Sequence, residues 1–401
     1  MNHATNATPS TRTIEQQHRG DLALLLTCSF GAASANSVIF AVLGDLQDAY
    51  RFAPSGLGFI AGSGFLMGLL VQLFVAPYAD RGYSKRLIVI GLMLAGTGSV
   101  LFATGDNLVQ FVFARAVVGS SFGFVFPAVR AIAANLDPQR GGERLGNVAS
   151  VELLGFVIGP LLGGILIDPI GISSTLLVFG VVAAAITIFV APRKFPTLVL
   201  TSESKRPSLE LLRHPRIVVA VLVVMAIQLP IGIYDALWDR YLTDLGGGNM
   251  MVGLSFALYS APFILLSSAG GKLADRGHPQ RIALWSLLVV TPLVFFYGFF
   301  DSLWIVVAIN LGEGIVHAVG YPATAAAVAK AAPPGRASAA QGLSGSAGLL
   351  GATLMAFFMP SVYGRYGAAV TFGIAAAIML ALTGAAALLH MRANQNDLLT
   401  S

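Results

Sequence analysis

Charged residues are scarce in this chain. Only 11% of its 401 residues are Asp, Glu, Lys or Arg, whereas 56% are hydrophobic. Typical soluble domains carry about 25% charged residues, and so few charges could not cover the surface of a soluble protein of this size. Apolar runs of about 20 residues, separated by short polar turns, instead predict a helical membrane protein that crosses the bilayer many times.

Cysteine is nearly absent as well. Cys28, in the first apolar run, is the only one in the sequence, which excludes an intrachain disulfide and does not reveal the redox compartment. The sequence also lacks a metal-ligand motif, a phosphate-binding loop and a soluble catalytic domain. We therefore expect no metal, no cofactor and no catalytic residue. The net charge of +5 does not indicate a nucleic-acid partner.

Twelve apolar runs predict an all-α integral membrane protein with 12 transmembrane helices, numbered here as spans 1 to 12. Their predicted ranges are 22–46, 57–78, 87–103, 108–134, 145–167, 175–191, 217–242, 252–274, 282–299, 303–329, 339–363 and 368–389. We expect a disordered cytoplasmic tail at 1–20, a six-helix lobe at 21–192, a cytoplasmic linker at 193–215, a second six-helix lobe at 216–391, and a tail at 392–401.

The polar turn between spans 2 and 3 recurs between spans 8 and 9. The segment YADRGYSKRL, which contains Asp80, is followed 195 residues later by LADRGHPQRI, which contains Asp275. The same offset relates three further pairs: Gly58 and Gly253, Gly119 and Gly314, and Pro127 and Pro322. Four landmarks in one register indicate an internal duplication, so the two lobes are predicted to be repeats of one another.

The distribution of basic residues predicts the orientation. If the N-terminus lies inside, Arg51, Arg240 and Arg365 lie at outer ends, and Arg115 and Arg130 fall within span 4. The remaining 19 of the 24 Lys and Arg residues then lie in inner segments. Because cytoplasmic loops carry an excess of Lys and Arg, both termini are predicted to face the cytoplasm and the protein to reside in the cell membrane.

The repeated turn resembles the loop motif of the major facilitator superfamily, G-x-x-x-D-R-x-G-R-K, which lies between spans 2 and 3 in that family. The first copy matches at Asp80, Arg81 and Lys85 and departs at Ala76, Tyr83 and Ser84. The second copy keeps Gly271, Asp275 and Arg276. The resemblance covers about residues 22–389 and implies two six-helix bundles related by a pseudo-twofold axis along the membrane normal.

This resemblance also implies a conformational role for the turn, as a hinge between states. It would place the Asp80 carboxylate near the N-terminus of span 11, around Ser338, where a helix attracts a negative charge. Such a contact would hold the lobes together in the outward-open state and break on the inward swing. The alternative is an ordinary solvated turn that obeys the positive-inside rule.

Span 5 carries a second pattern, g-x-x-x-G-P-x-x-G-G. Its members are Gly155, Gly159, Pro160, Gly163 and Gly164, and it resembles the antiporter motif of the proton-linked drug-efflux branch of the superfamily. Glycines at this spacing form a groove that lets a neighbouring helix approach closely, and proline bends a helix because it lacks an N–H group. Ordinary packing of small residues is the alternative.

Ionisable residues inside the spans are the candidates for proton coupling. They are Glu313, Glu152, Asp235, His317 and Arg115. Arg115 stands in a segment resembling the R-x-x-Q-G-x-G element of the same branch, with Val118 in place of Gln, and a buried guanidinium should face a cavity or a carboxylate. A structural ion pair is the alternative for Arg115.

Among these acids, Glu313 is the preferred proton carrier, because it is the deepest acid of the second lobe. The repeat offset places it at a depth similar to that of Arg115, and His317 follows one turn later on the same helix face. Glu152 lies nearer the cytoplasm and could serve as an inner relay. We expect Asp45 and Asp239 to be solvated carboxylates at the outer interface.

These features together predict a proton-coupled secondary transporter that exports small amphipathic or drug-like compounds. Its partners would be a small-molecule substrate, protons and the lipid bilayer, and we expect a monomer. A metabolite exporter or an importer of the same fold is the first alternative. A membrane enzyme or a sensor that does not transport is a more distant one, since the sequence lacks the motifs such proteins require.

Reporter fusions test the predicted topology. Fusions placed after Arg12, between Lys194 and Arg213, and after Arg392 should all report a cytoplasmic location, because the basic residues hold these segments inside. The measurement is the activity ratio of a reporter that works only in the cytoplasm to one that works only outside. An external location of the central linker would contradict the arrangement of six spans on each side of it.

Overall fold

The structure is a computed structural model that describes residues 11–75, 78–136, 141–195, 208–333 and 336–400. Within these ranges the secondary structure is helical, and eleven of the helices are long and apolar enough to cross a membrane. The long helices are Thr11–Ser37, Pro54–Phe74, Ser84–Ala103, Leu108–Leu136, Gly141–Ile170, Ile172–Val190, Pro215–Asp244, Asn249–Arg276, Pro279–Phe296, Leu303–Ala331 and Ala337–Thr400.

The last of these helices contains both span 11 and span 12. It has 64 residues, which at 1.5 Å per residue is about twice the thickness of a membrane. It breaks at Gly367, where φ is +76° and ψ is −177°. A positive φ favours glycine because it has no Cβ. The chain therefore crosses twice, and the prediction of an all-α membrane protein with twelve spans is confirmed.

Span 1 differs from its predicted form at both ends. Its helix begins at Thr11, so the part of the predicted tail that the structure describes is helical, since nothing in its sequence breaks a helix. At the other end the helix stops at Ser37, and a 3₁₀ turn, Val38–Ala41, leads to a separate short helix, Leu43–Tyr50. β-Branched residues have low helix propensity, and the chain turns where Val38, Ile39 and Val42 come together.

Two further connections lie on the inner side of the predicted topology. The first polar turn is a five-residue π-helix, Ala79–Tyr83, in which Gly82 adopts a φ of +88°. Of the central linker, residues 196–207 lie outside the described residues, and the 3₁₀ helix Ser208–Arg213 leads into span 7. Its Leu211 is buried against the inner end of the second lobe.

The 195-residue repeat is visible in the packing. A Cβ placed on Gly119 would lie 2.3 Å from the carbonyl oxygen of Gly64, and one placed on Gly314 would lie 2.0 Å from the carbonyl oxygen of Tyr259. Gly64 and Tyr259 are themselves 195 residues apart. Spans 2 and 4 and spans 8 and 10 therefore use the same close approach, which a side chain would prevent.

One repeat-related pair is in direct contact. The backbone N–H of Gly44 donates to Oδ2 of Asp239, 195 residues away, at 2.6 Å. A residue that touches its own repeat mate lies next to the axis relating the two copies, so the pseudo-twofold axis passes between the outer ends of spans 1 and 7. The expectation that Asp239 is solvated is wrong: it is 1% exposed, because the other lobe covers it.

Further contacts join the lobes at the outer side. A Cβ on Gly58 of span 2 would lie 2.5 Å from the carbonyl oxygen of Phe357 in span 11, and one on Gly253 of span 8 would lie 2.8 Å from that of Pro160 in span 5. Nearer the surface, Arg240 pairs with Asp48, and Nδ2 of Asn249 donates to Oδ1 of Asp168 at 3.0 Å. The side of the molecule that the predicted topology places outside is therefore closed.

Substitution of two glycines in span 10 tests the repeat packing. Gly314→Ala should lower the melting temperature of the purified protein, because the new Cβ would meet the backbone of span 8, and overpacking typically costs about 1–3 kcal/mol. Gly312→Ala is the matched control, since nothing lies within 4 Å of its Cβ position. Equal melting temperatures for the two variants would contradict the close approach of spans 8 and 10.

Candidate functional site

A buried ion pair connects span 4 of the first lobe with span 7 of the second. Nη2 of Arg115 lies 2.6 Å from Oδ2 of Asp235, and the two residues are 2% and 1% exposed. Nη1 of Arg115 also donates to the backbone and side-chain oxygens of Asn36 at 2.9 and 3.1 Å. The guanidinium lies over the ring of Phe40, with 5.5 Å between its Cζ and the ring centroid.

The sequence did not predict that these two residues bind each other. Both were candidates for proton coupling, but Arg115 was related to Glu313, because the repeat offset places those two at similar depth. The structure instead brings Asp235 to Arg115 across the lobe interface. Arg115 and Asp235 are 120 positions apart, and no helical periodicity relates residues at that separation. Their pairing therefore could not be predicted from sequence spacing. Nε of Arg115 and Oδ1 of Asp235 have no hydrogen-bond partner among the described residues.

Glu313 lies in a pocket of tyrosines within the second lobe. It is 0% exposed, and its Oε2 accepts hydrogen bonds from the hydroxyl groups of Tyr234 at 2.6 Å and Tyr297 at 2.7 Å. Its Oε1 has no hydrogen-bond partner among the described atoms. The nearest basic group in that part of the structure is Nδ1 of His317, 3.7 Å from Oε1, which also makes a 2.7 Å contact with the hydroxyl group of Tyr259.

Sequence reasoning missed these tyrosines. Only 10 of the 401 residues are Tyr, yet three of them, Tyr234, Tyr259 and Tyr297, pack on one another around Glu313 with ring centroids 6.3 Å apart. Trp238 packs on Tyr234 with a centroid distance of 5.0 Å. A tyrosine in the middle of an apolar span has a hydroxyl group that needs a partner, and that signal could have identified them.

A row of polar side chains continues from Glu313 along span 10 toward the inner side. His317 and Tyr321 follow at positions i+4 and i+8, and their ring centroids are 5.1 Å apart. The hydroxyl group of Tyr321 donates to Oε1 of Gln228 in span 7 at 2.6 Å. Nε2 of His317 has no hydrogen-bond partner among the described residues. The row therefore links the buried acid to the inner half of the second lobe.

Glu152 occupies a different place, in the first lobe. It is 5% exposed and pairs with Arg130 of span 4, a residue to which the sequence assigned no role. The Arg130 side chain is 50% exposed. Arg130 lies 15 residues beyond Arg115 on the same helix, a separation of about 22 Å at 1.5 Å per residue. The two basic residues of span 4 therefore hold two different acids at opposite depths.

Phe40, which lies under the Arg115 guanidinium, is part of a larger set of stacked phenylalanines. Phe40 packs on Phe156 and on Phe256 of span 8, with ring centroids 6.4 and 5.9 Å apart. Phe126 packs on Phe122 at 4.5 Å and on Phe156 at 6.2 Å. The phenylalanine rings therefore come mainly from the first lobe, with Phe256 contributed by the second.

The glycine pattern of span 5 contacts both lobes. A Cβ on Gly155 would lie 2.6 Å from that of Ala33, and one on Gly159 would lie 2.1 Å from Oγ of Ser37, both in span 1. Gly163 faces Val38 at 3.1 Å in the same way. At Gly164 a Cβ would lie 2.2 Å from the carbonyl oxygen of Asn249 in span 8, across the interface. The pattern therefore holds span 1 within its lobe and touches the other lobe at its outer end.

The hinge residues are only partly described. The side chains of Asp80 and Ser338 lie outside the described residues, so their proposed contact stays a prediction. Cζ of Arg81 lies 4.9 Å from the centroid of the Tyr78 ring, and Nζ of Lys85 donates to the carbonyl oxygen of Ala191 at the inner end of span 6. In the second copy, Asp275 and Arg276 are exposed, and a Cβ on Gly271 would lie 3.9 Å from Cβ of Pro322.

The class of protein follows from comparison of the sequence with known families. The Major Facilitator Superfamily model matches residues 25–238, and the MFS_1 like family model matches residues 153–374. The chain belongs to the Major Facilitator Superfamily. It is therefore a multi-pass membrane transporter rather than an enzyme.

Individual relatives are 27% and 29% identical to this chain over the aligned residues. The uncharacterized MFS-type transporter YuxJ of Bacillus subtilis is 27% identical over 295 residues, covering 70% of this chain and 74% of the relative. The multidrug resistance protein MdtG of Serratia proteamaculans is 29% identical over 252 residues, covering 60% of this chain and 61% of the relative. The match to MdtG thus spans less than two thirds of either protein.

Two solved structures share the fold. The nucleoside transporter NupG superposes with a TM-score of 0.72 at 12% identity, over 92% of this chain and 99% of that protein. A bacterial homolog of the human lysosomal transporter Spinster, in an inward-facing and unoccupied conformation, superposes with a TM-score of 0.70 at 16% identity, over 93% of this chain and 95% of that chain. At these identities the likeness concerns the fold alone.

Removal of one charge from the Arg115–Asp235 pair tests how much the pair contributes to the stability of the protein. Asp235→Asn should destabilise the protein by about 3–5 kcal/mol, because it leaves the Arg115 charge buried without a counter-charge. The double variant Arg115→Gln with Asp235→Asn should recover part of that loss. The measurement is the melting temperature in detergent. The exposed Asp168→Asn serves as the control, and an equal effect of Asp235→Asn and Asp168→Asn would contradict the assigned burial.

Proposed function

We propose that the protein is a proton-coupled exporter of small amphipathic or drug-like compounds, in which Glu313 carries the proton. The observation that carries this proposal is the surroundings of Glu313. The carboxyl group is fully buried, receives two tyrosine hydrogen bonds, and has no Lys or Arg within salt-bridge distance among the described residues. Such a group suits a site whose charge changes during the cycle.

The chemistry of this site supports both protonation states. An isolated charge in an apolar environment is costly, so a dry pocket favours the neutral acid. Hydrogen bonds from Tyr234 and Tyr297 favour the carboxylate, since each hydroxyl group donates to it. With these two effects opposed, a modest change in the site, such as the arrival of a substrate, is enough to release or recover the proton. Arg115 cannot play this part because its guanidinium stays charged.

A route for the proton toward the inside follows the polar row on span 10. His317 is 3.7 Å from Glu313 and can accept a proton on one ring nitrogen while the other donates. Tyr321 and Gln228 continue the row beyond it. The second acid, Glu152, pairs with Arg130 in the first lobe, and we assign it the role of an inner relay or a modulator of the pH response.

Three observations support an amphipathic substrate and the direction of export. The stacked phenylalanines that begin at Phe40 offer apolar contact, whereas the tyrosines, His317 and Gln228 offer hydrogen bonds, so a molecule with both kinds of surface would match the interior. The span 5 pattern resembles the antiporter motif and packs against span 1 and span 8. In addition, several relatives carry the name multidrug resistance protein.

The remaining elements fit a cycle in which the lobes rock about a central site. In the present arrangement the outer side is closed, and the Arg115–Asp235 pair holds the lobes together at mid-depth. We assign Asp80, with Arg81 and Lys85, to the contact that closes the inner side in the opposite state, and Gly271, Asp275 and Arg276 to its weaker repeat. Both termini would face the cytoplasm, and the protein would act as a monomer.

The role of Glu313 is tested by proton release. A panel of fluorescent dyes and antibiotics is first screened for compounds to which cells become more resistant when they express the protein. Purified Glu313→Gln should still bind such a compound but should not release protons when it binds, because the neutral amide cannot titrate. Proton release is read in weakly buffered detergent solution with a pH dye.

Glu152→Gln is the comparison variant for this experiment. It should keep most of the proton release and shift the pH optimum of transport, since its acid is assigned to the relay rather than to the carrier. Full proton release by Glu313→Gln would show that the carrier is another acid, with Glu152 and Asp235 as the next candidates. Transport that persists after the proton gradient is dissipated would contradict proton coupling altogether.

A further inference from the structure

Asp239 is a buried acid that the proposed mechanism leaves without a role. It lies one turn outward of Asp235 on span 7 and is 1% exposed. Its Oδ2 accepts the backbone N–H of Gly44 in the other lobe at 2.6 Å. Its Oδ1 has no hydrogen-bond partner among the described residues. One carboxylate oxygen is thus used to join the lobes and the other is buried with nothing to compensate it.

The charged groups around Asp239 do not neutralise it. On its own helix, Arg240 is engaged by two other acids, Asp48 of the short helix Leu43–Tyr50 and Asp244, whose Oδ1 lies 2.8 Å from Nη2 of Arg240. Asp45 of the short helix directly follows Gly44, the residue that Asp239 contacts. Other groups at this end are Asp168 of span 5, held by Asn249, and Tyr363 of span 11, which donates to Asp244 at 2.7 Å. Arg51 lines the same outer cavity as Asp48, Arg240 and Asp244.

Among the described residues, acids therefore outnumber the cations Arg51 and Arg240 at the outer end of the interface. Outside the membrane-spanning helices, burial raises the pKa of Asp45, and the nearby Asp168 and Asp48 raise it further, against a hydrogen bond from Asn249 that lowers it. The fit is also tight, because a Cβ on Gly44 would lie 3.1 Å from Oδ2 of Asp239. Any separation of the lobes at this end breaks the contact and admits outer water to Asp239.

We propose that Asp239 is the outer proton acceptor of the transport cycle: it takes up a proton from the outside while the outer side is open, the neutral acid is buried against Gly44 as that side closes, and the proton returns to the outer water when that side next opens. The inference rests on the proposed proton-coupled export. Burying an uncompensated carboxylate is costly and burying the acid is much less so, so protonation from outside favours the closed outer side and the return of the carrier to the inward-facing state.

The sign of the pH dependence follows from this linkage. The closed outer side binds the proton more tightly than the open one, so low pH favours closure and high pH favours opening. One coupled group changes the closed-to-open ratio by at most about tenfold per pH unit. Asp239→Asn keeps the acceptor oxygen for Gly44 but removes the titration, so it should stay closed at every pH.

Distances between spin labels across the outer side test this inference without a substrate. Cys28 is the only cysteine, so Cys28→Ala provides a background for the labels. The two label sites are Val109→Cys and Trp304→Cys, repeat-related positions at the outer ends of spans 4 and 10 that are 77% and 66% exposed. Pulsed electron resonance in lipid nanodiscs would compare acidic and alkaline samples about three pH units apart.

The parent should gain a longer distance as the pH rises. Asp239→Asn should keep the short distance between the labels at every pH. Asp239→Glu should retain a pH response because its side chain still titrates. The control, Asp301→Asn, changes an exposed residue and should behave like the parent. Gly44→Ala, whose methyl group would displace the Asp239 carboxylate, should shift the distances toward the open form while remaining pH-dependent. If Asp239→Asn folds poorly, Gly44→Ala still tests the contact between Gly44 and Asp239.

Two results would overturn the inference: a parent whose distances do not respond to pH, or a response that survives unchanged in Asp239→Asn. The proposed function is judged separately, by substrate-induced proton release from the same preparations. Normal proton release by the parent with a pH-independent outer side would refute the role of Asp239 alone. An absence of proton release with an intact pH response of the outer side would refute the proposed coupling and leave the outer titration in place.

Discussion

The fold depends on the high free-energy cost of burying a charge in the membrane interior. A charge buried there is tolerated only when another group compensates it, and the chain meets this constraint differently in its two lobes. Arg115 and Arg130 supply the cations of the first lobe, and each is paired with an acid. In the second lobe, Glu313 and Asp239 are buried with hydrogen-bond donors, and no Lys or Arg of the described residues forms an ion pair with either of them. The compensated pairs hold the structure together, and the uncompensated acids are where a proton can matter.

Close approach of helices is the second constraint, because lipid provides no hydrophobic drive for one helix to prefer another. Glycine backbones at Gly119 and Gly314 let the helices of each lobe touch, and Gly58 and Gly253 do the same between the lobes. These contacts occur in repeat-related pairs. The duplication therefore reproduced the packing of the backbone, whereas the side chains that carry charge diverged between the lobes.

This divergence gives each lobe its own chemistry. Where the second lobe has Glu313, the first has Val118, and where the first has Arg115, the second has Asn310. Phe40 lies under the arginine, and Tyr234 and Tyr297 donate to the glutamate. A site formed where two such lobes meet can contact an amphipathic molecule on both of its surfaces, and it can couple that contact to a buried acid in one lobe only.

Several features followed from sequence alone because they are carried by local composition. Apolar runs predicted the spans, the recurrence of Ala-Asp-Arg-Gly predicted the duplication, and Glu313 and Asp235 were singled out because an ionisable group in an apolar run is unusual. The break of span 1 after Ser37 was not predicted, because an apolar run has the same composition whether its helix is continuous or bent.

What the tertiary structure decided is which groups meet. From the sequence, Arg115 and Glu313 were expected at similar depth, yet Asp235 is the residue that binds Arg115. Asp239 is buried, although its position near a helix end predicted a solvated carboxylate. The tyrosines around Glu313 come from three different spans. The physical reason is common to all of these: depth along a helix can be counted from residue numbers, but the direction of a side chain and the lobe that covers it depend on how helices far apart in sequence pack together.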